Sequence, residues 1–280
     1  MVKQLKLFIQ KFIQFFGYKL IGRKEFVKHN SFNAIHKFII NEFIDKKEIT
    51  IFDIGASDGS SIERFKKRFP QSKIFSFEPT EFLFDKLKKQ YNSDTVKIFN
   101  NALGAKEEHR DFYQYEYHEI NSFYPMVQNS KYKLQRTKKE SQKKEIKKKV
   151  NVITLDSFTE KNRIKKIDVL KIDTQGAETE VLDGAQNLLK SNLVNIIELE
   201  HIIGIAHECN NSFYKLEEKL NKYNYRLIAI DHADNIISFS NYQTNLIYVN
   251  NDIFNKIKHF HENNIDVKNI THSVKHYKNL

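Results

Sequence analysis

The feature that most constrains this chain is a rhythm. Between residues 49 and 199, short apolar runs that stop at turn residues alternate with longer stretches of helical period. Ile49-Thr50-Ile51-Phe52-Asp53-Ile54-Gly55 reads as a buried parallel strand, and Ile62, Phe65 and Phe69 mark a helix after it. Lys73 to Phe77 and Val96 to Phe99 are further strands, separated by a helix through Phe82, Leu83, Leu87 and Tyr91. Ile167 to Asp173 and Val194 to Leu199 are two more, with a helix predicted over Glu178 to Leu189. Such alternation implies right-handed βαβ units around a mostly parallel sheet. Two last strands, Arg226 to Ile230 and Asn245 to Val249, are joined by a turn-rich link too short for a crossover helix, so they are expected to pair antiparallel.

In such sheets ligands bind beyond the carboxyl ends of the strands. The first loop is Asp53-x-Gly55-x-x-x-Gly59, and the helix after it points free N–H groups at the same place. Glu78 stands at the end of the next strand, where a carboxylate can accept both hydroxyls of a ribose. Together they point to an adenosine-bearing cofactor. A nicotinamide fingerprint needs glycine where this chain has Ser57. Asp53 would repel a pyrophosphate, whereas it could hold the ammonium group of a methionine moiety.

The net charge of +11 suggests nucleic acid until it is located. Residues 1–24 carry six Lys or Arg and no acid, and residues 131–149 carry ten against Glu140 and Glu145; the rest is slightly acidic. A folded nucleic-acid reader would show a basic face on its core. Leu5, Phe8, Ile9, Phe12, Ile13, Phe16 and Leu20 share one helical face. That helix, residues 1–25, packs on the domain or on a second copy of the chain, or it rests on an anionic membrane surface. Lysines interrupt its apolar runs, so it is neither a secretory signal nor a membrane span. One cysteine, Cys209, excludes an internal disulfide and fits a reducing, cytoplasmic setting. The expected organisation is this helix, an enzyme domain over 26–250 with a Lys-rich insert at about 118–149, and a polar tail over 251–280. Residues 131–149 have no apolar period and read as a loop or an extended charged helix.

Several motifs then appear in order: Asp53-Ile54-Gly55-Ala56-Ser57-Asp58-Gly59, Phe77-Glu78-Pro79, Asn101-Ala102-Leu103-Gly104, Thr154-Leu155-Asp156 and Leu170-Lys171-Ile172-Asp173-Thr174-Gln175-Gly176-Ala177-Glu178. The chain thereby resembles the FkbM family of methyltransferases over roughly residues 49–250. The resemblance implies a Rossmann-like class I methyltransferase fold, with a seven-stranded, mostly parallel sheet and a reversed last strand. It implies S-adenosylmethionine, with Asp53, Gly55, Ala56 and Gly59 around the methionine part, Glu78 on the ribose, and Asn101 and Ala102 against adenine. Ser57 stands where many relatives carry Asn.

The acceptor is narrowed by exclusion. Asp173-Thr174-Gln175-Gly176 is not the Asp/Asn-Pro-Pro-aromatic motif of base-amine methylation, and no Pro-Cys nucleophile exists for pyrimidine C5. Hydroxyl methylation on a sugar, nucleotide-sugar or glycan is left, with an acceptor that could be anionic; the competing reading is an RNA-modifying enzyme whose basic appendages track phosphates. A hydroxyl needs a base or a metal. Asp173, Glu200 and His201 are the catalytic candidates, with Glu198 and His118 nearby, and Asp173, Glu200 and His201 could also hold a divalent ion. Lys171 reads as an ion-pair partner for a core acid such as Glu178, and Asp156 as a helix cap.

Overall fold

The structure, a computed structural model, describes residues 32–44, 46, 48–127, 144–202, 207–209, 212–230 and 243–264. The N-terminal helix expected at 1–25, most of the Lys-rich stretch and residues 265–280 lie outside the described residues.

Seven strands form one sheet: β1 (Thr50–Ile54), β2 (Lys73–Phe77), β3 (Val96–Phe99), β7 (Ile167–Ile172), β8 (Val194–Ile202), β9 (Arg226–Ile230) and β10 (Gln243–Val249). Their spatial order is β3-β2-β1-β7-β8-β10-β9. All neighbours are parallel except β10, which is antiparallel to both β8 and β9. The doubly wound sheet with its reversed last strand is as expected. The order reverses beside β1, and the carboxyl ends of β1 and β7 frame the crevice there.

Every residue of β7 is buried, because helices cover both of its faces. Side chains alternate between faces, so Phe52, Ile54, Leu170 and Ile172 join one core. Ile51, Val169 and Ile196 join the other. The first core is closed by α4 (Leu155–Lys161), α5 (Glu178–Asp183), α6 (Gln186–Lys190) and α7 (Phe213–Lys222). The second is closed by α1 (Phe32–Ile39), a π-turn at Ile40–Ile44, α2 (Ser60–Arg68), α3 (Glu81–Tyr91) and α8 (Asn251–Asn264). The helix in the expected polar tail thus reaches the core: Ile253 is buried, and Lys256 Nζ donates to the Phe43 carbonyl at 2.9 Å.

A small second sheet of β4 (Ala102–Leu103), β6 (Ile146–Ile153) and β5 (Glu108–Gln114) sits beside the crevice. It corrects the reading of the Lys-rich stretch, whose end is strand β6. Only Val150 and Val152 of β6 turn inward, too few to show a period. Its lysines find partners across the strand instead, with Lys147 and Lys149 flanking Asp111 at 2.7 and 2.8 Å. The helix expected over Glu178 to Leu189 is two helices that break at Gly184. A Cβ on Gly184 would lie 2.1 Å from the Gly104 carbonyl oxygen, so close approach to that loop requires glycine there. Asp156 does cap a helix, but not its own: its oxygens accept from Asn187 and Leu188 N–H at 2.9 and 3.1 Å, at the start of α6. Thr154 caps α4.

Candidate active site

The turn after β1 is set by glycine. Gly55 has φ +80°, and a Cβ there would lie 1.9 Å from the Asp173 carbonyl oxygen, so only glycine lets the tips of β1 and β7 meet. Gly55 and Ala56 N–H donate to the Phe77 carbonyl at 3.0 and 3.1 Å, which ties the loop to the end of β2. Gly59, at φ +92°, packs against Leu87 and Tyr91 of α3. It serves helix packing and does not line the crevice.

The crevice is a cavity of about 230 Å³. One half is walled by Gly55, Ala56, Ser57, Glu78, Asn101 and Ala102, the positions singled out for a cofactor. Glu78 is buried, with Oε2 accepting from Ser57 N–H and Oε1 from Thr80 N–H, both at 2.9 Å. Each oxygen keeps a lone pair for a further donor. Burial pushes its carboxyl up, against the pull of those N–H groups and of Lys171. Leu103, Phe112 and Phe123 give this half an apolar wall.

Asp53 corrects the expectation that it reaches a ligand. Its side chain is fully buried and lines no part of the cavity. It points toward α2, on the face opposite Phe52 and Ile54. Oδ2 accepts from Ser61 Oγ at 2.6 Å and Ser76 Oγ at 3.3 Å, while Oδ1 lies 3.4 Å from Lys171 Nζ. Asp53 therefore braces the floor beneath the loop.

At the other half, the tips of β7, β8 and β10 converge. Lys171 is buried between Asp53 and Asp173 and donates to the Gly55 carbonyl at 2.9 Å. Its partners are those two aspartates and not Glu178. Glu178 instead accepts from the N–H groups of Thr174 and Gly176 at 3.1 and 3.0 Å, shaping the turn after β7, and burial pushes its carboxyl up to about 7. Gln175 holds the left-handed region at φ +54°, and its amide donates to Asp173 Oδ1 at 3.0 Å and to Glu200 Oε2. Gln243 Nε2 donates to Glu200 Oε1 at 3.0 Å.

Asp173 and Glu200 face one another in this frame, in opposite electrostatic conditions. Burial, and then the neighbouring Asp173 charge, push Glu200 well above the usual carboxylate range. Burial acts most strongly on Asp173 too, but the Lys171 ammonium and the hydrogen bonds with Glu200 and Gln175 together outweigh it and hold that carboxyl low. The pair thus favours the charge on Asp173 and the proton on Glu200.

His201 does not join them. Glu200 and His201 lie within β8, not after it, and adjacent strand residues point to opposite faces. His201 packs edge-on against Phe213 of α7 at 5.9 Å, where burial pushes its imidazole down. The set Asp173, Glu200 and His201 therefore cannot converge on one ion, and no group of three or more His, Cys, Asp or Glu among the described residues is arranged to hold a metal. Glu198, on the same face as Glu200, binds His36 at 3.0 Å and Arg64 at 2.8 Å away from the cavity.

The segment after β5 roofs the crevice. His118, Glu119, Asn121 and Phe123 line it, and His118 Nδ1 lies 2.9 Å from Ser57 Oγ. Ser122 Oγ donates to the Gln175 carbonyl at 2.7 Å, which pins the roof to the β7 turn. Tyr124 turns away to Glu180 and Arg110. Sequence reasoning missed Gln175, Gln243 and Phe112. The first follows Lys171-x-Asp173 in a recognisable motif; the other two carry no local signal.

Residues 53–227 match the family model described as the methyltransferase FkbM domain. The chain is similar to the 2-O-methyltransferase NoeI of Sinorhizobium fredii (strain NBRC 101917 / NGR234), 25% identical over 171 residues, covering 58% of this chain and 67% of that protein. Solved structures that align with it include Aeropyrum pernix fibrillarin with natively bound S-adenosyl-L-methionine, at TM-score 0.42 and 10% identity over 77% of this chain and 74% of that one. The magnesium protoporphyrin IX methyltransferase of Synechocystis PCC 6803 with bound cofactor aligns at TM-score 0.41 and 8% identity, over 86% and 90%.

Proposed function

The chain belongs to the FkbM methyltransferase family and uses S-adenosylmethionine; from that premise we propose that it methylates a hydroxyl of a sugar, nucleotide-sugar or glycan. The observation that carries this reading is the Asp173–Glu200 pair, held by Gln175 at the end of the cavity away from Glu78.

The residues lining the cavity offer partners to each part of the cofactor. In this reading Glu78 accepts the ribose hydroxyls, and Asn101, Ala102 and Leu103 lie against adenine with Phe112. The loop of Gly55, Ala56 and Ser57 follows the methionine part. S-adenosylmethionine supplies an activated methyl on a sulfonium. The protein's own task is to align an acceptor oxygen with that methyl and to remove its proton. Asp173, with Glu200 beside it, would take the hydroxyl proton as the acceptor oxygen bonds to the methyl that the cofactor would give up, leaving the cofactor as the neutral thioether. His118, beside Ser57, borders the same space.

The charge of the lining favours sugar over RNA. Among the described residues, Asp58, Glu78, Glu119 and Asp173 face the cavity against one lysine, Lys171, and His118. A reacting group flanked by phosphates meets repulsion there, while an uncharged ring finds donors and acceptors. The similar 2-O-methyltransferase NoeI favours an oxygen as the acceptor atom.

Radiolabelled methyl transfer tests the proposal, with methyl glycosides, a nucleoside diphosphate sugar and a short RNA as acceptors. Label in a sugar, lost in Asp173→Asn, supports it; label in RNA alone overturns it.

A further inference from the structure

The last strand does more than close the sheet. β10 runs antiparallel to β8 with Asn245 opposite Glu200 and Gln243 opposite Ile202, so Gln243 is the diagonal neighbour of Glu200 on the same face. Its amide takes Glu200 Oε1, while the Gln175 amide takes Oε2 and Asp173 Oδ1. Both oxygens of Glu200 are thereby held by neutral donors from opposite sides. Gln175 does this from a left-handed backbone, a conformation costly for a residue with a side chain.

We propose that Gln243, lying beyond the matched residues 53–227, is a positioning residue of the transfer site that orients Glu200 and sets its affinity for the proton. The inference rests on the reading of Asp173 and Glu200 as the proton acceptor. Among the described residues, the other charged groups that act on Glu200 are Lys171 on β7, Asp173 just past its end and Glu178 behind the turn. Lys171 is shared among Asp53, Asp173 and the Gly55 carbonyl. An amide N–H favours the ionised carboxylate, so Gln243 counters part of the effect of burial without adding a charge that would repel a cationic cofactor. Because the fold reverses β10, this donor arrives from the far end of the chain.

The test reads Glu200 directly. The full chain, with side-chain carboxyls of glutamate labelled in ¹³C and S-adenosylhomocysteine bound, is titrated by NMR, and Glu200→Gln identifies the resonance. Gln243→Leu is expected to move the midpoint of Glu200 upward by about one to two pH units, the effect of one hydrogen bond to a charged group. Gln243→Lys, which puts a cation in the same place, is expected to move it downward. Mere loosening does not give opposite displacements. If the leucine variant does not fold, the lysine variant decides alone. An unmoved midpoint overturns the proposal even when Asp173→Asn is inactive. Full activity in Asp173→Asn overturns instead the reading of the acid pair on which it rests.

Discussion

Gly55 and Asp173 meet backbone to side-chain position: a Cβ on Gly55 would lie 1.9 Å from the Asp173 carbonyl oxygen. The loop that borders one half of the cavity and the strand end that carries Asp173 are therefore one mechanical unit. Gly55→Ala must both leave φ +80° and push β7 away. The backbone term alone costs on the order of 1–3 kcal/mol. A lowered melting temperature with loss of S-adenosylhomocysteine binding by calorimetry is the expected result.

Glu78 and Asp53 are both buried acids at neighbouring strand ends, yet they should fail differently. Glu78 lines the cavity, and removing its hydrogen bonds to a ligand should weaken S-adenosylhomocysteine by about tenfold or more in Glu78→Ala. Asp53 braces Ser61, Ser76 and Lys171. Asp53→Ala should lower unfolding free energy by about 1–3 kcal/mol while the folded fraction still binds. Denaturant melts paired with calorimetry check both, and tight binding by Glu78→Ala would remove that residue from the cofactor site.

Glu178 makes stability depend on pH with a definite sign. Its folded-state pKa of about 7 is above the ordinary 4.5, because burial disfavours the charged form. Between those values the folded chain binds more protons than the unfolded one, so stability falls as pH rises from about 4.5 to about 7 and then levels. The drop attributable to Glu178 is about 3 kcal/mol. Glu178→Gln should flatten it, whatever its offset in stability, in urea melts at pH 5 and pH 8.

Glu198 has the reverse sign. It is held at about 2, against burial, by His36 and Arg64. The stability it contributes is full above 4.5 and is lost as pH falls toward 2. Glu198→Gln should be markedly less stable at neutral pH and lose little more on acidification, as circular dichroism melts would report.

Asp173 and His201 should fail differently as well. Asp173→Asn should lower kcat by about 10²-fold or more, the usual worth of a positioned base. His201→Ala should cost stability through its contact with Phe213 and leave kcat within a few-fold. Initial-rate measurements on the two variants separate them.

Much of this was legible in the sequence because it is local. Strand and helix periods, the Gly55 turn, Glu78 at a strand end and the ordered motifs each lie within a few residues, and they made legible the α/β sheet, its reversed last strand and residues that wall one half of the cavity. The family match over residues 53–227 agrees with those motifs. Lysines that pair across β5 and β6 hid a strand, because cross-strand charge pairs leave no period.

What the tertiary structure alone decided is direction. Asp53 and Glu78 look alike in sequence, but Asp53 lies inside β1, against α2 beneath the loop, whereas Glu78 stands one residue past the end of β2, where it opens on the cavity. Strand alternation parts Glu200 from His201, and an antiparallel return brings Gln243 to Glu200 across 43 residues of sequence. Residue type and spacing set which elements form; which face a side chain takes, and what meets it there, depends on contacts between strands distant in the chain.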